Sequence, residues 1–265
     1  CIIAGEGILR VDATDMLIRF AECLWVPVFT AWRRFDAFPN KHQLYMGGLN
    51  LTSISNDLSE PLKNADLIIA IGTRLDEFTT LSYSLPSSKQ KLLHIDQSPE
   101  ETGGSWIGAD LSLVSDVGEA MNKLEEVLKS SKRAKPSKAR QKQVAEWGEN
   151  YLRQTTPRSN KVAPIDGAID LEGIYHDILK IITDETSITC DAGDFGSWLV
   201  RYYKWNQPHT FFGPTTGAMG YALPAAIAAR LARPQAPAVS FVGDGGFAMR
   251  MSELETAARL QLTGL

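Results

Sequence analysis

Residues 238–247 read Ala238-Val239-Ser240-Phe241-Val242-Gly243-Asp244-Gly245-Gly246-Phe247, an apolar strand followed by a glycine-rich turn that carries one carboxylate. α/β proteins bind phosphates and metals at the carboxyl ends of strands. Glycine lets the backbone approach a ligand closely, and Asp244 offers the hard oxygen that Mg²⁺ prefers when it also holds phosphate oxygens. The stretch therefore predicts either a Mg²⁺-diphosphate site or a tight turn in which Asp244 is a satisfied turn residue.

Two further glycine-bearing loops lie upstream of this stretch. Residues 217–229 form a glycine turn that leads into a helix of small residues, which can pack very close to a sheet. Residues 187–190 are predicted to form a strand, which ends in Asp191-Ala192-Gly193-Asp194-Phe195-Gly196 and is followed by an amphipathic segment at 198–203. Downstream, residues 252–255 have the pattern of a capping box, which predicts that a helix begins at Ser252.

At these loops the chain resembles the thiamine-diphosphate-dependent enzymes of the acetolactate synthase and 2-keto acid decarboxylase superfamily. That family's diphosphate domain carries an Asp-x-Gly loop, a Gly-x-Met-Gly turn and a Gly-Asp-Gly motif, and all three occur here in this order. The resemblance implies that Asp244 is a Mg²⁺ ligand. It also implies cofactor contacts at Asp191, Gly193, Asp194, Phe195, Gly217, Ala218, Met219, Gly243, Asp244, Gly245, Gly246 and Phe247.

Two of these residues have more than one interpretation. Met219 resembles the residue that props thiamine diphosphate into its bent shape, and the alternative is ordinary core filling by a flexible side chain. Many relatives place Asn or Gln where this chain has Asp194. A carboxylate there would repel the diphosphate unless it is turned away or also meets the metal.

The resemblance implies a thiamine-diphosphate- and Mg²⁺-dependent lyase or transferase. Such an enzyme decarboxylates a 2-keto acid or joins it to a second carbonyl compound, as an acetolactate synthase does. The family's amino-terminal pyrimidine domain and its second Mg²⁺ ligand, an Asn beyond Gly-Asp-Gly, have no counterpart in this sequence. We therefore interpret the chain as a central domain plus the first part of a diphosphate domain. We expect no catalytic residue and no turnover in the chain by itself, and a homodimer or homotetramer at full length.

The first half of the chain alternates strand and helix patterns, which predicts a mostly parallel sheet covered on both faces. Strands are predicted at residues 1–4, 26–30, 67–71 and 92–96, and helices at 13–24, 58–65 and 117–128. The expected fold class is α/β, with two doubly wound, mostly parallel-sheet units of which the second is truncated. We place a Rossmann-like central domain at residues 1–130, a basic linker and bridging helix at 131–165, and the diphosphate-binding part at 166–265.

A nicotinamide-dependent dehydrogenase is one rival class, because Gly5-x-Gly7 follows the first strand. The third glycine of the dinucleotide fingerprint is replaced by Arg10, and no acidic residue ends the second strand near Thr30. The pattern is therefore incomplete, which argues against this class.

A nucleotide- or flavin-binding regulatory module without catalysis is the alternative function. In acetolactate synthases the corresponding domain holds a flavin, with an Arg where Arg74 stands. Phe78 stands roughly where the synthases continue with a second basic residue. This departure at Phe78 counts against a flavin, and FAD is kept as an alternative cofactor. Arg74 is then expected to contact either a flavin or a surface partner such as Asp76 or Glu77.

Composition argues against other classes. The chain is 44% hydrophobic and 22% charged, with a net charge of -4 and no long apolar run, which predicts a cytoplasmic protein without a membrane partner. The three cysteines share no Cys-x-x-Cys spacing, so neither a disulfide framework nor a zinc site is indicated. Residues 129–142 are basic but lack interleaved aromatic residues, so we interpret them as a solvated linker and expect no nucleic-acid partner.

Two histidines have candidate roles. His94 lies within an apolar strand, which favours a satisfied core histidine. His209 is close to the predicted cofactor loops in chain order, which makes it a candidate for proton transfer.

Overall fold

The computed structural model describes residues 1–102, 108–131, 135–158 and 167–265. These residues form two compact units, Cys1–Leu152 and Arg153–Leu265. Parts of the predicted basic linker, residues 132–134 and 159–165, lie outside the described residues. Within the described parts of the chain, none of the helices is long and apolar enough to span a bilayer.

The first unit is built on a six-stranded sheet in which every pairing is parallel. Its strands are β1 (Ile2–Ala4), β2 (Val28–Thr30), β3 (Tyr45–Gly48), β4 (Leu67–Ile71), β5 (Lys91–Asp96) and β6 (Leu111–Val114). Its helices are α1 (Glu6–Arg10), α2 (Thr14–Leu24), α3 (Asn56–Lys63), α4 (Val117–Ser130) and most of α5 (Lys138–Thr155). The strand order is β3-β2-β1-β4-β5-β6, the order of a doubly wound Rossmann fold.

One apolar core underlies this sheet. The strands β1 and β2 are buried at every position, as expected for parallel strands covered on both faces. Helix α2 contributes Leu17 and Phe20 to the core, and α5 contributes Val144 and Tyr151. The predicted helices near residues 13–24 and 117–128 are therefore present as α2 and α4 and pack on the sheet.

The glycines after β1 allow close packing at the switch in strand order between β1 and β4. The Gly7 N–H donates to the Gly72 carbonyl at 3.0 Å, and a Cβ on Gly7 would lie 2.7 Å from the Gly72 Cα. The Gly5 N–H donates to the Ile71 carbonyl at 2.9 Å. These N–H groups are therefore used inside the protein, which accounts for Gly5-x-Gly7 without a dinucleotide.

The second unit contains a three-stranded parallel sheet in the order β8-β7-β9. Its strands are β7 (Ser187–Cys190), β8 (Phe211–Phe212) and β9 (Ala238–Phe241). Its helices are α6 (Leu171–Ile178), α7 (Phe195–Tyr202), α8 (Ala222–Ala232), α9 (Asp244–Arg250) and α10 (Glu253–Arg259). Both units are thus parallel α/β structures, which confirms the predicted fold class.

The helix predicted to begin at Ser252 is present as α10, with Ser252 at its N-cap position, but the capping-box hydrogen bond is absent. Ser252 has helical dihedral angles (φ -59°, ψ -23°), and its side chain makes no capping hydrogen bond. A true N-cap residue has extended backbone, and that geometry occurs at Gly243 (φ -77°, ψ 165°), directly before α9. The helix after the Gly-Asp-Gly turn therefore begins at Asp244 itself.

Candidate functional site

The three glycine-bearing loops meet at one edge of the second sheet. Strands β7 and β9 are parallel neighbours, so the loop at 191–194 and the turn at 242–244 leave the sheet side by side. The third loop, residues 217–221, leads into α8, and α8 packs on both strands. The loops that the sequence singled out are therefore brought together at the carboxyl ends of adjacent strands.

Asp191 joins these loops through its backbone and its fully buried carboxylate. The Oδ2 atom accepts from the Gly220 N–H at 2.7 Å, and Oδ1 accepts from the N–H groups of Tyr221 at 2.8 Å and Ala222 at 2.6 Å. Its own N–H donates to the Phe241 carbonyl at 3.0 Å. The carboxylate thus binds otherwise unsatisfied N–H groups at the start of α8. Asp191 positions the loops and has its oxygens occupied by protein.

Glycines let the loops approach each other. A Cβ on Gly246 would overlap Oδ2 of Asp191, so α9 can lie against this carboxylate only because residue 246 has no side chain. A Cβ on Gly243 would lie 3.1 Å from Cε1 of Phe195, whose ring also contacts Gly193. The Phe195 ring therefore lies close to both glycines.

Asp244 and Met219 lie at the exposed side of this assembly. Asp244 is exposed, and its Oδ1 accepts from the Gly245 N–H at 2.8 Å. No other partner of its carboxylate occurs among the described residues. Met219 is 47% exposed, and its Cε would lie 3.2 Å from a Cβ on Gly245. The carboxylate can therefore bind a cation, next to a half-exposed apolar side chain.

The remaining predicted residues surround these two. Gly217 has φ +69° and closes a turn by donating its N–H to the Pro214 carbonyl at 3.1 Å. Ala218 is exposed, and Phe247 is 37% exposed on α9. Asp194 is exposed at the start of α7, and its side chain makes no capping hydrogen bond.

Two neighbours of the turn were not identified from the sequence. A Cβ on Gly220 would lie 3.0 Å from Cγ of Arg250 and 3.5 Å from Cβ of Met249. Both residues are exposed on α9. Their position follows from α9, a helix that the sequence analysis did not predict.

The histidine predictions have different outcomes. His94 is fully buried, and its Nε2 lies 2.7 Å from the Thr73 carbonyl, as expected for a satisfied core histidine. Burial lowers the pKa of His94 and outweighs the effect of this hydrogen bond. His209 lies away from the loops whose nearness in the chain made it a candidate for proton transfer. His209 precedes β8, and Arg233 contacts both its carbonyl and Ser187, at the amino edge of the parallel sheet and opposite the three loops.

Arg74 has a different surface partner from the two predicted. Its Nε lies 3.9 Å from Glu101, and its side chain is 71% exposed. Asp76 instead accepts from the Thr79 N–H at 2.8 Å. The Phe78 ring stacks on Trp32 with 4.4 Å between ring centroids. The side chains near Arg74 therefore make protein contacts of their own.

Comparisons with known proteins agree with this arrangement. The family model of the thiamine pyrophosphate enzyme central domain matches residues 1–124. The model of the C-terminal TPP binding domain of thiamine pyrophosphate enzymes matches residues 191–264. The second match contains all three glycine-bearing loops.

Several curated proteins are similar along almost the whole chain. The acetolactate synthase large subunit of Buchnera aphidicola subsp. Schizaphis graminum is 29% identical over 267 residues, covering 100% of this chain and 45% of the relative. The acetolactate synthase of Mycobacterium leprae is 30% identical, with 97% and 40% covered. The sulfoacetaldehyde acetyltransferase of Alcaligenes xylosoxydans is 28% identical, with 97% and 46% covered.

The chain spans less than half the length of each of these relatives. The two family models match in the order central domain, then TPP binding domain, and together they account for most of the sequence. The chain belongs to the family of thiamine pyrophosphate enzymes.

Proposed function

We propose that a protein containing this chain uses thiamine diphosphate and Mg²⁺ to decarboxylate a 2-keto acid or to join it to a second carbonyl compound, as acetolactate synthases do. The observation that carries the proposal is the meeting of three glycine-bearing loops around buried Asp191, with Asp244 left exposed beside Met219. The match to the TPP binding domain supports the choice of cofactor.

The residues at this edge fit the diphosphate end of such a cofactor. Asp244 has a carboxylate oxygen that makes no hydrogen bond among the described residues, and carboxylate oxygen is a preferred ligand of Mg²⁺. Gly243 and Gly245 expose backbone where a Cβ would meet Phe195 or Met219. Backbone at glycine can approach a bound group closely. We infer that Asp244 holds the metal and that these two glycines lie beside the diphosphate.

The other side chains have supporting roles in this proposal. Met219 would give the bound cofactor an apolar support, and its half-exposed position leaves it available for that contact. Asp191 is a positioning residue, because its oxygens already bind N–H groups of the loop that carries Met219. The Phe195 ring lies against Gly193 and Gly243 and helps to fix the positions of the two loops.

When bound, thiamine diphosphate supplies the nucleophilic carbon that adds to the substrate ketone and the electron sink for loss of CO₂. The protein contributes binding, orientation and exclusion of water. None of the residues at this edge is proposed as a general acid or base. The groups that complete the active site belong, in this proposal, to parts that the longer relatives have beyond the matched region.

The test is CO₂ release from a panel of 2-keto acids by a protein that joins this chain to the remaining domains found in its relatives. We expect release only when thiamine diphosphate and Mg²⁺ are both present, and the preferred acid identifies the substrate. The same protein with Asp244→Asn should lose the release, whereas Glu255→Gln, a change on exposed α10, should keep it. Release without added cofactor from protein that holds no thiamine diphosphate would contradict the proposal.

A further inference from the structure

The first unit contains a cavity of about 190 Å³ that is separate from the site described above. Trp25 precedes β2, and His42 and Gln43 precede β3, so the cavity lies at the amino ends of these two strands. Its other wall is α5, through Val144, Gly148, Tyr151 and neighbouring residues. Ligands of doubly wound sheets normally bind at the carboxyl ends of the strands. This cavity therefore lies at the opposite edge from the usual ligand crevice.

Aromatic rings form much of the cavity wall. Trp25, Tyr45 and Tyr151 line it together with the His42 imidazole. The Tyr45 and Tyr151 rings pack edge to face, with 5.3 Å between centroids and 88° between planes, and both residues are buried. Their positions are therefore fixed by the core. The faces of aromatic rings carry negative potential and attract cations, most strongly where water is displaced.

Two exposed charged side chains, Lys41 and Glu149, line the cavity. The Glu149 carboxylate has no ion pair or hydrogen-bond partner among the described residues. The His42 Nδ1 accepts from the Leu44 N–H at 3.2 Å, and its Nε2 lies 3.2 Å from Oε1 of Glu22. Lys41 has an interaction of its own, whereas the Glu149 carboxylate is available to a positively charged occupant.

Two backbone features shape the cavity at a cost to the fold. Trp25 adopts the left-handed conformation (φ 54°, ψ 56°), which is unfavourable for a residue with a Cβ. Gly148 lies inside α5, where glycine is a poor helix former. A Cβ on Gly148 would lie 3.1 Å from the Gln43 carbonyl oxygen. The left-handed backbone of Trp25 and the mid-helix glycine Gly148 thus both occur on the wall of the same cavity.

We propose that this cavity binds a small organic cation, a quaternary or protonated amine of about the size of choline. The rings of Trp25, Tyr45 and Tyr151 provide the cation–π contacts, and Glu149 provides the counter-charge. A cavity of about 150 Å³ accepts a benzene molecule, so about 190 Å³ is sufficient for a trimethylammonium group with a short arm. The inference does not depend on the thiamine diphosphate proposal, because it uses no residue of the second unit.

Calorimetric titration of the whole chain tests this proposal with two probes of equal shape, choline and its uncharged isostere 3,3-dimethylbutan-1-ol. We expect choline to bind at least about tenfold more tightly than the alcohol, because only the cation gains the ring and carboxylate interactions. This test uses the wild-type chain alone. Equal affinity for the two probes, or no binding of choline, would overturn the proposal.

A matched pair of variants tests the role of Glu149. Glu149→Gln should weaken choline binding several-fold and leave binding of the alcohol unchanged. Glu146→Gln is the control, because Glu146 lies on the same helix outside the cavity wall and pairs with Lys142 at 3.7 Å. Circular dichroism checks that both variants fold. Equal choline affinity in the two variants would overturn the assignment of Glu149 as counter-charge.

Discussion

Replacing Asp191 with Asn tests whether one buried carboxylate organises the loops of the second unit. The side chain keeps its shape, but one acceptor oxygen becomes an amide NH₂ group. If the remaining oxygen stays at the Oδ1 position, it still accepts from Tyr221 and Ala222, and the NH₂ group faces the Gly220 N–H. Two charge-assisted bonds then become neutral ones, and one buried N–H loses its acceptor.

The magnitude follows from these three bonds. Hydrogen bonds to charged groups contribute about 1.5–3 kcal/mol each and neutral ones about 0.5–1.5 kcal/mol, and an unsatisfied buried donor costs about 1–3 kcal/mol. The losses share one side chain and are not additive, so we expect the free energy of unfolding to fall by about 3 kcal/mol. Asp194→Asn is the control, since its exposed side chain makes no capping bond, and it should change stability by less than about 0.5 kcal/mol.

Urea unfolding followed by circular dichroism measures the loss of stability, and hydrogen exchange locates it. The amides of Gly220, Tyr221 and Ala222 should exchange faster in Asp191→Asn, because their acceptor is weakened or absent. The reasoning is refuted if Asp191→Asn is as stable as Asp194→Asn and the three amides keep their wild-type protection.

Further predictions concern both units. Gly7→Ala should destabilise the first unit by at least about 2 kcal/mol in urea unfolding, because its Cβ would lie 2.7 Å from the Gly72 Cα. Gly108→Ala, with nothing within 4 Å of its added Cβ, should change stability by less than about 0.5 kcal/mol, and equal effects would contradict the packing argument. Burial lowers the pKa of Lys204 from 10.5 to about 7. Between pH values equal to these two pKa values, Lys204 is protonated in the unfolded state and mostly neutral in the native state. The free energy of unfolding should therefore rise with pH across that range. Lys204→Met should flatten this rise. If the free energy of unfolding changes with pH in the same way in the wild type and the variant, Lys204 is not the cause of the rise.

Much of the fold was predictable because its strands carry a strong local signal. The strands β4 and β7 and the helices α2 and α4 were expected close to their observed positions, from continuous apolar runs or a helical apolar period. Three strands, β3, β6 and β8, were not predicted. Half of β3 is glycine, which weakens a strand pattern, and its pairing with β2 makes it a strand. The edge strand β6 has four exposed residues, and pairing with β5 defines it.

The candidate site was predictable in composition but less so in arrangement. The three glycine-bearing loops were identified from the sequence, and the structure brings them together. The position of Asp191 could not be derived, because its acceptor role depends on N–H groups about thirty residues away in the chain, a tertiary contact that local propensity does not encode. The start of α9 was missed because two glycines in its first turn disfavour a helix locally.

The central claim is that the three loops form an anchor for thiamine diphosphate through Mg²⁺ and Asp244. Phosphorus NMR of thiamine diphosphate titrated with the chain tests it most directly, because shifts and line widths detect weak as well as tight binding. Relative to thiamine diphosphate and Mg²⁺ without protein, we predict that the wild-type chain changes the spectra, that Asp244→Asn does not, and that Glu255→Gln, at an exposed carboxylate on α10, still does. Spectra that change equally with and without Mg²⁺, or equally for wild type and Asp244→Asn, would contradict the account.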